Sequence, residues 1–201
     1  ALAGGEERLT RYRSTGAAVA HLPASGQLIE AALGSAARDA AFTLLASFAT
    51  AQQVDTAAIS SAEIMNRSTP AENVLASGQP TQEQLQLLAS SGVKHIINLR
   101  PTSEQEFDEE ALVKSLGMEY HSIPVAGADG VTSDNAKKLD DLLNSLNGQP
   151  LLVHCASSNR VGALRALTAS ANGEALESAI TTGKSWGLTG LEPAVRTKLS
   201  Q

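Results

Sequence analysis

From about Val74 onward, short apolar runs alternate with segments of helical period, and most boundaries carry a start or stop signal. VKHIINL (93–99) has the β-branched apolar character of a buried strand, and VLAS (74–77), MEYHSI (118–123) and LLVH (151–154) read as further short strands. Between the first two, Thr81 followed by Gln84 is a capping box that predicts a helix over 82–90, with Leu85 and Leu88 facing the core and Gly92 beyond its end. A second helix is predicted over 104–116, closed by Gly117. A third is capped by Ser133 and repeats Leu139, Leu142, Leu143 and Leu146 on one face. A fourth covers 161–172 and stops at Gly173, and the remainder through Leu199 reads as helical with a break at 187–193. Strands separated by helices are joined by right-handed crossovers, which makes them parallel neighbours in a sheet covered on both faces. The expected fold is α/β: three layers, with a mainly parallel four- to five-stranded sheet flanked by helices, over residues 62–201.

Residues 1–61 read differently, being rich in alanine and mostly without strand signal. Within them Arg38, the apolar run AAFTLLASFA and Ala49-Thr50-Ala51 follow the order of a secretory signal peptide. Read that way, segment 38–51 directs export to the periplasm or medium and residues 1–51 are removed. Read as an alanine-rich helix, the segment is retained and the protein is cytoplasmic. No apolar run approaches the ~18 residues that span a bilayer, so a soluble protein without a membrane span is expected.

Composition narrows the chemistry. The formal net charge is −6, and no basic run exists to neutralise a series of phosphates, so nucleic acid is not an expected partner. The single cysteine forms no internal disulfide, and with four histidines it builds no multi-cysteine zinc cluster. Neither metal nor cofactor is expected. An anionic ligand must be gripped locally, and one segment is suited to it. His154-Cys155-Ala156-Ser157-Ser158-Asn159-Arg160 joins the last strand to a helix, at the carboxyl end of the sheet where ligands of open α/β folds bind. Its backbone N–H groups, with a helix N-terminus behind them, make an anion cradle. The same field lowers a cysteine pKa from about 8.5 to roughly 3.5–7.5, which makes Cys155 a nucleophile at neutral pH. Arg160 folds back over the loop with a planar fork suited to a tetrahedral oxyanion, and His154 stands behind it as a support that orients the loop. Taken by itself, Cys155 is equally the small buried hydrophobe that most lone cysteines are.

HCASSNR after LLV resembles the phosphate-binding loop of protein-tyrosine and dual-specificity phosphatases. With ASGQPT (76–81), HIINLRP (95–101), LGMEYHSIPV (116–125), HCASSNRVGAL (154–164) and WGLTGLEP (186–193), the chain is similar to their bacterial beta-lactamase-hydrolase-like branch from roughly residue 70 to its end. The resemblance implies a phosphatase-like fold and a phosphorylated protein or small molecule as substrate. It makes Cys155 the thiolate that forms a cysteinyl-phosphate, held by Arg160 and the N–H groups of Ala156, Ser157, Ser158, Asn159 and Arg160. It places the general acid on the loop after the IPV strand, where Asp129 is the carboxylate between Pro124 and Ser133. Asp134 is better explained as an acid in the first turn of a helix.

Three departures from the family pattern stand out. Four residues separate Cys155 from Arg160, where the best-known loops have five; Ser158 replaces a usual glycine; Val161 replaces a usual serine or threonine. The short loop is shared with rhodanese-like sulfurtransferases, in which the cysteine carries a persulfide, and the two replacements fit a weakly catalytic oxyanion-binding domain. Elsewhere, Arg100 and Glu104 reach the site mouth or form a surface ion pair. Glu104, Glu106, Asp108, Glu109 and Glu110 read as a solvated helix face. Trp186 reads as packing, and GLTGLEP as a binding loop or a break between helices.

Overall fold

The computed structural model describes residues 55–200, so the signal-like segment 38–51 lies outside the described residues. Strands β2 (Val74–Ser77), β3 (His95–Asn98), β4 (Glu119–Ser122) and β5 (Leu151–His154) are parallel, and β1 (Ser68–Ala71) joins β2 antiparallel at one edge. The order is β1-β2-β5-β3-β4. The last strand in sequence is thus central in space: Leu151 faces Val74 and His95, and His154 faces Ser77 and Asn98. Every residue of β3 and β5 is buried, as expected for parallel strands covered on both sides.

Alternation along the strands divides the core. Leu75, Ile96 and Leu152 face a layer made by α1 (Thr56–Ser61), α2 (Gln82–Ser90) and α3 (Glu109–Ser115), which supplies Ile59, Leu85, Leu88 and Val113. Ala76, Ile97 and Val153 face α4 (Ser133–Ser145), α5 (Asn159–Ala171), α6 (Leu176–Ser185) and α7 (Glu192–Leu199). Ile59 belongs to this packing although it precedes residue 62. Among the described residues no helix is long and apolar enough to cross a membrane.

The capping box at α2 is formed: the Thr81 hydroxyl accepts from the Gln84 amide at 3.2 Å, and the Gln84 side chain accepts from the Thr81 amide at 2.9 Å. Three other helix starts differ from the sequence reading. The helix expected over 104–116 is a 3-10 turn, Thr102–Glu104, followed by α3. The Asp108 carboxylate accepts the Ala111 N–H at 2.9 Å and so begins the helix there, leaving Glu104 outside it. For α4 the cap is Thr132 and not Ser133: Thr132 has extended backbone (φ −120°, ψ 159°) and its hydroxyl accepts the Asn135 N–H at 3.2 Å. The helix expected over 161–172 already begins at Asn159.

Helix α5 carries the second half of the HCASSNR loop and is buried along nearly its whole length, from Arg160 to Leu164 and from Ala166 to Ala169. A helix with apolar residues on all sides belongs in the interior. Gly162 permits it. A Cβ there would stand 2.1 Å from the Leu188 nitrogen and 2.5 Å from the Gly183 oxygen, so α5 meets α6 and the chain after it backbone to backbone.

Candidate active site

Cys155 is the first residue beyond β5 and is 1% exposed. The loop after it is fastened from outside. The Ala156 carbonyl accepts from the Gln79 amide at 3.2 Å, and the Ser157 carbonyl accepts from the Asn66 side chain at 3.1 Å. These bonds hold the loop's carbonyls against the segments that carry Gln79 and Asn66. Ser158 adopts φ +67°, the angle that its glycine counterpart would take without strain. The strain, about 1–2 kcal/mol, is countered by a hydrogen bond of about 0.5–1.5 kcal/mol from the buried Ser158 hydroxyl to the Trp186 carbonyl, at 3.0 Å. A Cβ at Gly187 would fall 2.4 Å from that hydroxyl, so the glycine makes room for the serine.

The GLTGLEP motif is therefore a brace. The Asn159 side-chain oxygen accepts the N–H groups of Thr189 (2.9 Å) and Leu191 (3.2 Å), fixing the first turn of α5 from behind. Trp186 packs as expected, 7% exposed, with the Arg165 guanidinium 4.8 Å over its ring.

Arg160 folds back from α5 and is 8% exposed. Its fork donates to both oxygens of Glu104, at 2.9 and 2.6 Å, and to the Val125 carbonyl at 2.6 Å. Burial opposes its charge, but the Glu104 hydrogen bond and the attraction of Cys155 outweigh that and leave its pKa above the usual value. Glu104 is held below the ordinary carboxylate range, chiefly by the Arg160 hydrogen bond, which outweighs the opposing effect of burial, and then by the Arg160 and Arg100 charges. Arg100, 9% exposed, donates to the Glu104 carbonyl and, at 2.5 Å, to Gln79. The Arg100–Glu104 pair is therefore not a surface pair but one side of the site wall.

The chain of contacts continues beneath the loop. Gln79 donates to Glu109 at 2.7 Å, and Glu109 takes His154 Nε2 at 2.7 Å. Glu109 is 1% exposed and His154 0%, which corrects the reading of Glu109 as part of a solvated helix face. Burial pushes the Glu109 pKa up, but His154, Gln79 and Arg100 together bring it below the ordinary value. The His154 ring is anchored by Glu109 through Nε2, and its Nδ1 has no hydrogen-bond partner. Cys155, Arg160, Glu104, Arg100, Gln79, Glu109 and His154 thus form a continuous polar loop that returns to the residue before the cysteine.

Asp129 is exposed, in the turn Gly127–Gly130, four residues beyond the Val125 carbonyl that Arg160 holds. Asp134 lies in the first turn of α4, and Val161 is fully buried in the core. Sequence reasoning missed the roles of Gln79 and Glu109. Gln79 was visible as part of ASGQPT, whereas Glu109 carried no signal that separates it from its acidic neighbours. Among the described residues, the one cluster able to hold a metal ion is His95, Glu119 and His121, at the opposite ends of the strands from Cys155.

Comparison with known proteins agrees with this architecture. The family described as DSP-PTPase phosphatase fused to NAD+ kinase matches residues 42–182, beginning upstream of the point, near residue 70, where the motifs start. A beta-lactamase hydrolase-like protein of Xylella fastidiosa is 31% identical over 102 residues, which is 48% of this chain and 23% of that protein. The chain thus spans about a quarter of the length of the curated relatives it matches. A DUF442 protein of Shewanella putrefaciens CN-32, described as a candidate phosphatase, superposes with a TM-score of 0.53 at 24% identity, covering 69% of this chain and 93% of that one. The core catalytic domain of the PP-IP phosphatase SIW14 of S. cerevisiae gives 0.53 at 19% identity, covering 68% and 84%.

Proposed function

The chain belongs to the DSP-PTPase phosphatase family described as fused to NAD+ kinase, and on that footing we propose that it hydrolyses phosphomonoesters through a cysteinyl-phosphate on Cys155. The observation that carries this reading is the buried cysteine at the central strand end, under an arginine that Glu104 and the Val125 carbonyl hold in place. The thiolate attacks phosphorus as the bond to the leaving oxygen breaks, and the Asp129 carboxyl gives that oxygen its proton. Water then attacks the phosphorus. Asp129 takes the water's proton, and the S–P bond breaks to release phosphate and regenerate the thiolate. Arg160 and the loop amides stabilise the charge on the equatorial oxygens in both steps, so the mechanism draws its positive charge from the protein itself. Val161 brings no hydroxyl to help the thiolate depart, which leaves that task to the same donors.

Offering the pure protein an aryl phosphate and, separately, thiosulfate with cyanide tests the reading. Phosphate release supports it; thiocyanate without phosphate release replaces it with sulfur transfer, and neither product reduces the site to oxyanion binding. Two substitutions test individual roles. Arg160→Lys keeps the charge but loses the fork that spans both Glu104 oxygens, and we expect kcat to fall roughly 10²–10³-fold, the usual cost of removing one oxyanion donor; an unchanged kcat would remove Arg160 from the transition state. Asp129→Asn is expected to flatten the basic limb of the pH–rate profile with little change in KM, and a profile that keeps its shape would reassign the acid.

A further inference from the structure

The end of the sheet remote from Cys155 carries a second group of chemistry-bearing side chains. The β3–β4 register sets His95 beside Glu119 and Ile97 beside His121. Residues two apart on a strand share a face, so His95, Glu119 and His121 project together. His95 Nδ1 lies 3.3 Å from His121 Nε2 and 3.6 Å from Glu119 Oε2, and His121 Nε2 lies 4.0 Å from that same oxygen. An ion bound tetrahedrally at ~2.0–2.2 Å by nitrogen and oxygen separates its donors by roughly 3.3–3.6 Å. Three corners of such a tetrahedron are nearly laid out, and the donor that must move a few tenths of an ångström is the carboxylate of Glu119, whose side chain is 72% exposed.

A second observation concerns orientation. Gln149 Oε1 stands 3.1 Å from His95 Nε2. Since that oxygen only accepts, Nε2 keeps the proton and Nδ1 turns its lone pair toward His121 and Glu119. Metal-bound histidines are oriented by an outer hydrogen bond of this kind. His95 is 3% exposed and therefore fixed, while the Glu119 side faces water and leaves the fourth corner for a solvent ligand.

We propose that His95, His121 and Glu119 bind one borderline first-row divalent cation, of which Zn2+ is the probe, fastening the edge strand β4 to β3. Two imidazoles and one carboxylate suit such a cation, whereas Mg2+ and Ca2+ take oxygen ligands. Without an ion, the arrangement serves as a shared proton between the two rings, His121 Nε2–H donating to His95 Nδ1. The proposal does not depend on the chemistry at Cys155.

The test is titration of chelator-treated, untagged full-length protein with Zn2+ by calorimetry, repeated in Cys155→Ser so that the active-site thiol contributes no ligand. One equivalent is expected to bind in both. Binding should be lost in His121→Ala and weakened in Glu119→Gln, and Gln149→Leu should weaken it about 10–100-fold through the outer hydrogen bond. Glu119 and Gln149 are exposed, so these two variants remain informative even if His121→Ala folds poorly. Zn2+ should also raise Tm in the parent protein but not in His121→Ala. Absence of binding, binding that disappears in Cys155→Ser, or binding indifferent to Glu119→Gln and Gln149→Leu would each overturn the proposal.

Discussion

Cys155→Ser should lower aryl phosphate hydrolysis by roughly 10⁴–10⁶-fold, the scale seen when a covalent nucleophile is removed, while the thermal midpoint moves little. The serine oxygen replaces a sulfur of similar shape at a 1% exposed position, so the packing around β5 survives. At pH 7 a hydroxyl with no adjacent base does not ionise, and the one buried imidazole nearby, His154, is turned toward Glu109. The cradle itself should persist. Phosphate and vanadate are expected to bind the variant and raise its Tm by mass action, which separates loss of the nucleophile from loss of the site. Undiminished turnover would remove the covalent mechanism, and failure to bind either anion would remove the cradle.

Glu109→Leu should be the most damaging single change outside the core. It leaves the His154 Nε2–H without its acceptor at a 0% exposed residue and removes one of the two acceptors of the half-buried Gln79 amide, and breaking one partner of a buried pair costs about 3–5 kcal/mol. Urea denaturation measures it. The double variant Glu109→Leu with His154→Leu should cost less than the sum of the two single changes, because the orphaned partner is gone; strict additivity would show that the pair is not coupled. The pair also sets the acid limb of stability. The folded pKa of Glu109 lies below its unfolded 4.5, as does that of Glu104. Their contribution is therefore complete above about pH 4.5 and drains away as the pH falls through the lower folded values. The urea midpoint should be level from pH 7 to about 5 and fall below that, less steeply in Glu109→Leu.

Much of this was readable residue by residue. Strands β3 and β5 were visible because a strand buried on both faces is mostly aliphatic, as in the Ile96-Ile97 pair and the Leu151-Leu152-Val153 run. The α2 start was visible because a capping box is satisfied within four residues. The cradle was visible because its cysteine, loop and arginine are contiguous. The helix starts at Glu109 and Ser133 were misplaced because their caps, Asp108 and Thr132, compete with neighbours of nearly equal capping strength. Glu104 meets Arg160 across 56 residues, a contact that no local signal announces.

Local periodicity and contiguous motifs thus determined the layers and the placing of Cys155 and Arg160 at one strand end, since each rests on groups a few residues apart. Only the tertiary structure decided which acid is buried, which loop braces Ser158 and which histidines meet. Glu109 reaches His154 across 45 residues and Asn159 reaches Thr189 across 30. His95 meets His121 only because β3 and β4 pair in one register, and a shift of one residue would send His121 to the other face of the sheet. Contacts of that kind follow from strand order and register, which are set by how the whole core packs and not by the spelling of any one segment.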